Sequence, residues 1–81
     1  MKKHKLTQEE YFVLQACNKE YKYITRDKNG TLSVFKTKPP KFNMEWGIFN
    51  SDYAEMKAFN HLFKMVKWEN DEPTFIKNLL K

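Results

Sequence analysis

The chain of 81 residues holds one cysteine, two glycines and three prolines, and no apolar stretch of membrane-spanning length. A lone Cys17 excludes an internal disulfide and a multi-cysteine metal site, and fits a reducing, intracellular setting. Its place on an apolar helical stripe makes it a small core residue, since no paired base marks it as a nucleophile. The glycines stand singly, in Asn29-Gly30 and Trp46-Gly47, so no glycine-rich phosphate loop can be built. No hydrolase or kinase signature occurs. Histidine is confined to His4 and His61, and with scattered carboxylates these form no recognised zinc spacing, so no metal or other cofactor is expected. The opening "MKKHKL" runs into "TQEEYF" rather than an apolar segment, which argues against a signal peptide and for a cytoplasmic protein without a membrane partner.

Aromatic side chains are plentiful, at 16% of residues within a hydrophobic share of 41%. A domain this small hides a limited fraction of its surface, so large rings must supply much of the burial. One domain over residues 7–81 is expected, after a basic tail at residues 1–6; there is no internal repeat and no low-complexity segment. The net charge of +5 is unevenly placed: residues 1–41 carry +6 and residues 42–81 carry −1. Such a field attracts nucleic acid or an acidic protein surface, and either attraction weakens with salt.

Local signals order the elements. Thr7 and Glu10 have capping-box spacing, and Leu6 can staple onto Tyr11, which starts a helix over about residues 8 to 20. Val13, Leu14 and Cys17 form its inner stripe, widened by Phe12 or Tyr21. "YKYITRDKNGTLSVFKTK" reads as a β-hairpin around Asp-Lys-Asn-Gly. A tight Asn29-Gly30 loop would pair Lys28 with Thr31, whereas a longer loop with Gly30 left-handed pairs Asp27 with Thr31; the longer one is expected, because it puts Ile24, Leu32 and Val34 on one face and Tyr21, Tyr23 and Phe35 on the other. Both faces are then apolar, and the second is either open to a ligand or covered by another element. Pro39-Pro40 stops the second strand, and alternation of Met44, Trp46 and Ile48 suggests a short third one. Asp52 and Glu55, followed by Met56, Phe59, Leu62, Phe63 and Val66 at helical spacing, predict a second long helix. Pro73 marks the first turn of a last helix with Phe75, Ile76, Leu79 and Leu80 inside. The expected fold is α+β: helix, hairpin, third strand, helix and short C-terminal helix, with the helices on one face of an antiparallel sheet.

Two surfaces are candidate binding sites. If the second helix runs through Trp68, then Lys57, His61, Lys64 and Trp68 share its outer stripe, an exposed ring among cations suited to a base or an acidic partner. If it stops near Val66, the chain turns and Trp68 becomes a buried anchor, the outcome its size favours. The hairpin supplies the other surface: Lys22, Arg26, Lys28, Lys36 and Lys38 interleave with Tyr21, Tyr23 and Phe35, an arrangement in which lysines hold phosphates while rings stack on bases. The plainer reading is a solvated edge guarded by lysines. Glu69, Asp71 and Glu72 are accounted for as solvated acids ahead of a helix N-terminus.

Phe63, Val66, Trp68 and Pro73, followed by Ile76, Leu79 and Leu80, carry a resemblance. In this last quarter the chain resembles small uncharacterised proteins from phages and prophages of Gram-positive bacteria, which end in a Phe-x-x-Val/Ile-x-Trp-x-x-x-x-Pro stretch and a short apolar helix. The resemblance implies a mobile-element origin and an accessory role in the cytoplasm of a bacterial host, and it transfers no catalytic residue. The expectation is therefore a non-enzymatic protein that binds a macromolecule, with nucleic acid slightly preferred. The alternatives are an inhibitor or adaptor acting on a host defence, replication or transcription protein, and a homodimer that pairs its uncovered hairpin faces.

Overall fold

The computed structural model describes residues 6–47 and 52–80. Its order is α1 (Gln8–Cys17), β1 (Tyr23–Arg26), β2 (Leu32–Phe35), β3 (Tyr53–Glu55), a 3-10 turn (Lys57–Phe59), β4 (Thr74–Phe75) and α2 (Ile76–Leu79). The four strands form one antiparallel sheet in the order β3-β2-β1-β4, so the fold is α+β.

The short-range signals produce what their chemistry requires. Thr7 Oγ1 accepts the Glu10 amide at 3.1 Å and Glu10 Oε1 accepts the Thr7 amide at 3.0 Å, a complete capping box. Leu6 packs on the core, whereas Tyr11 stays exposed instead of joining it as a staple. The helix ends at Cys17, three residues early, because the amides of Glu20 and Tyr21 both return to the Cys17 carbonyl and turn the chain towards β1. Leu14 is fully buried, with Val13, Cys17 and Tyr21 beside the core; Phe12 is 61% exposed and does not widen the stripe. The hairpin takes the longer loop: Asp27 N donates to Thr31 O, Gly30 N donates to Asp27 O, and Gly30 has φ +96°.

Beyond the hairpin the chain departs from expectation. The residues predicted as a long second helix first supply β3, which Tyr53 joins by stacking on Phe35 at 5.2 Å, and Asp52 gives its carbonyl to Lys36 N instead of capping a helix. From Met56 to Val66 the amides of Phe59, Asn60, Leu62 and Val66 each reach back three residues, a succession of tight turns. The cause lies on β1. The Arg26 guanidinium donates through Nε to Val66 O (2.8 Å), through Nη1 to Gly30 O (2.8 Å) and Asn60 O (2.9 Å), and through Nη2 to Leu62 O (2.7 Å) and Phe63 O (3.1 Å). All five of its N–H groups are used. A regular helix would spend the Asn60, Leu62 and Phe63 carbonyls on its own amides and leave the half-buried guanidinium without acceptors. The Phe63 amide is claimed as well, by Glu10 Oε2 at 2.5 Å, and Phe63 adopts φ +58°, a left-handed conformation that a regular helix cannot contain. Asn60 Oδ1 further accepts the Leu32 amide at 3.0 Å. Spacing that reads as helical thus survives in the turns, which bury Met56, Leu62, Phe63 and Val66 against Leu14, Ile24, Leu32, Val34, Ile76 and Leu79.

The sheet's other face carries one aromatic from each strand in a single row, Phe75, Tyr23, Phe35 and Tyr53, set by the strand registers. Tyr23 and Phe75 meet at 5.5 Å. This pairing draws Thr74–Phe75 into β4, so the last helix starts at Ile76 rather than at Pro73 and Phe75 lies outside it. The expected third strand at Met44 and Trp46 is reduced to one Lys41–Trp46 bridge; Ile48 lies outside the described residues. That loop instead covers Phe35 on the second face, while Tyr53 in the same row stays 41% exposed. Gly47, at φ +60°, lies so close that a Cβ there would strike the Phe35 ring and Pro39, and Phe35 is fully buried.

Arg26→Lys preserves charge but offers three donors from one point in place of a five-donor fork. The variant is expected to lose about 3 kcal/mol, roughly 12–24 °C in Tm for a chain of this size, by thermal denaturation. A Tm within a few degrees of the parent would show that the guanidinium does not hold the turns.

Candidate functional site

At the turn end of the hairpin a groove of about 390 Å³ opens between Asp27-Lys28 and residues 60–69. Lys28 comes from the hairpin loop, and His61, Lys64, Lys67, Trp68 and Glu69 from the turns that Arg26 organises. The local cause is direct. Carbonyls of residues 60–66 point to Arg26, so the intervening polar side chains His61 and Lys64 are left exposed, and the chain then turns back past Lys67. Lys28, Lys64 and Lys67 outnumber the two acids, Asp27 and Glu69.

Trp68 is a half-buried anchor. Its ring meets buried Trp46 edge-on at 6.5 Å, and Lys41 Nζ lies 4.3 Å from its centroid and 5.3 Å from that of Trp46. The same ammonium donates to the carbonyls of Trp68 (2.6 Å) and Asn70 (2.9 Å). This cluster ties the covering loop to the groove and sets the Lys41 ammonium over one face of the Trp68 ring, while Trp68 also lines the groove. The helical stripe of Lys57, His61, Lys64 and Trp68 does not exist as such. Lys57 leaves it for Glu55, 3.7 Å away, but the other three line one groove.

The hairpin surface is not assembled as expected. Arg26 is consumed by the five carbonyls and partial burial lowers its pKa, while Phe35 is buried and Tyr23 is packed on Phe75. Tyr21 rests against the core. Lys36 Nζ lies 3.8 Å from Glu20 and 5.9 Å from the Tyr21 ring, and Lys38 Nζ lies 3.0 Å from Glu72. Lys22 is exposed and does not line the groove, which Lys28 reaches from the hairpin loop beside the committed Arg26. Neither Lys41 nor the tie from Asp27 to Trp46 carried a signal in the sequence, because the bonds that place them span 19 to 29 residues. The acids at 69–72 precede β4 rather than a helix.

Cys17 Sγ contacts Met56 Sδ at 3.9 Å, and burial raises the thiol pKa, so the thiol form is held. Among the described residues no three His, Cys, Asp or Glu side chains come together as a metal site, and no helix is long and apolar enough to cross a membrane. No family model, curated protein or solved structure matches the chain.

Asp27 couples the groove to the covering loop, since its Oδ1 accepts the Trp46 amide at 2.9 Å. Burial raises its pKa, against the lowering effect of that bond and with help from Glu45 and Glu55. The folded state therefore holds the Asp27 proton more tightly than the unfolded chain does. The resulting stabilisation is present below the unfolded pKa of about 3.9 and is lost as pH rises through the raised folded value. Asp27→Asn keeps the acceptor and drops the charge. Its Tm is expected to equal or exceed that of the parent at pH 7, with the difference shrinking towards pH 4; a difference that grows on acidification would contradict the assignment.

Proposed function

We propose that the chain is a non-enzymatic accessory protein of a phage or prophage, acting in the bacterial cytoplasm, and that it binds nucleic acid through the groove. One observation carries this reading: Lys28, Lys64 and Lys67 converge with His61 around the Trp68 wall from separate parts of the chain. Cations there can neutralise phosphates, and the ring offers an apolar surface to a base or sugar. The +6 field of the first 41 residues would speed encounter with any polyanion. The resemblance of the C-terminal quarter to phage proteins supports an accessory role.

A protein partner is the second reading, and its support is elsewhere on the surface. Tyr11 and Phe12, 42% and 61% exposed, meet at 6.1 Å on the outer side of α1. Large exposed rings of this kind anchor interfaces. For a homodimer through the hairpin's second face, the exposed ring on that row is Tyr53, since Phe35 lies under Gly47 and Pro39.

The test is fluorescence anisotropy with labelled oligonucleotides at low salt. Lys28→Glu/Lys64→Glu should weaken binding at least about tenfold, the loss of two phosphate contacts, whereas Lys36→Glu/Lys38→Glu, whose lysines already face acids, should cost much less. Equal losses in the two double variants would mean that net charge, not the groove, attracts the ligand.

A further inference from the structure

We infer that the groove takes unpaired nucleic acid, a short stretch of single-stranded DNA or RNA, rather than a duplex; this rests on the nucleic-acid reading of the groove. Proteins that read duplex DNA in the major groove present a projecting element, an α-helix or a two-stranded ribbon, with cations on either side for the backbones. Neither is present among the described residues. The one long helix, Gln8–Cys17, contains no lysine or arginine and carries Glu9 and Glu10 in its first turn. The hairpin is not a free ribbon, because β4 pairs along β1 and β3 along β2, which places both strands inside the sheet.

What the surface offers is concave. At about 390 Å³ it is an open, shallow groove of small-ligand size, without room for a duplex. Trp68 is part of the wall, and tryptophan packs on a base only when the base is unstacked from its own strand. Asp27 and Glu69 share the lining with the lysines, and their carboxylates repel any phosphate that comes near them. The later hairpin cations do not lengthen the track, as Lys36 and Lys38 lie past the far end of β2 from the turn, beside Glu20 and Glu72. The footprint is therefore short. Lys28, Lys64 and Lys67 make two or three phosphate contacts, with a base carried by Trp68 between them.

The experiment uses the full chain with three labelled probes of mixed sequence: a 12-nucleotide DNA strand, the same strand as RNA, and a 12-base-pair DNA duplex. At low salt at least one single strand should bind about tenfold or more tightly than the duplex. Two or three phosphate contacts on a single strand give a log–log salt slope of roughly −1.4 to −2.1, which is a loss on the order of tenfold between 50 and 200 mM salt. Unlabelled strand should quench tryptophan emission, and Trp68→Phe should abolish the quench while retaining a folded chain, since buried Trp46 is shielded. Duplex affinity equal to or above that of both single strands, or a quench unchanged in Trp68→Phe, would overturn the single-strand assignment and leave the groove as a nucleic-acid site. Binding to none of the three probes at low salt would overturn both readings.

Discussion

Five hydrogen bonds from one side chain organise this protein. Arg26 ends the first strand of the sheet, and its guanidinium gathers the carbonyls of Gly30, Asn60, Leu62, Phe63 and Val66 around a single plane. A half-buried cation of this kind is stable only when its donors are all met. Glu10 completes the arrangement from the other side, closing its own helix cap with one oxygen and holding the Phe63 amide with the other. Capping box, hairpin turn and the 60–66 segment are therefore one polar network laid against the core, and the groove is the outer surface of that network.

What could be read in advance was local. Thr7 with Glu10, and Asp27 through Gly30, act over three or four residues, and both the helix start and the hairpin register follow from them. The second helix could not be dismissed from its own residues, because Met56, Phe59, Leu62, Phe63 and Val66 suit α-helical turns and consecutive 3-10 turns equally well. The deciding groups, Arg26 and Glu10, lie 34 to 53 residues away. Pro73 misled for a related reason: it suits a helix start and equally a residue ahead of a strand, and the unpaired edge of β1 settled the matter by taking Thr74 and Phe75.

The candidate site was legible in the same measure. Helical spacing groups His61, Lys64 and Trp68, and the turns keep them together although no helix forms there. Lys28 joins by tertiary folding, whereas Lys67 comes on the same turns as its neighbour Trp68. An arginine and an aromatic on a short basic hairpin, as at Arg26 and Phe35, are neutral between stacking platform and packed interior; the covering loop with Gly47 and the demand of five carbonyls decide for the interior. Trp68 combines two roles, since the contacts with Trp46 and Lys41 that anchor it also orient the ring at the groove.

The central claim is that residues 57–67 follow tight turns around Arg26 and not a helix, and NMR of the labelled full chain tests it most directly. The account predicts no continuous run of helical Cα shifts across these residues, a three-bond HN–Hα coupling at Phe63 matching its φ of +58°, and slow exchange of the Phe63 amide held by Glu10. Uninterrupted helical shifts from Tyr53 through Lys67, with Phe63 at negative φ, would contradict it.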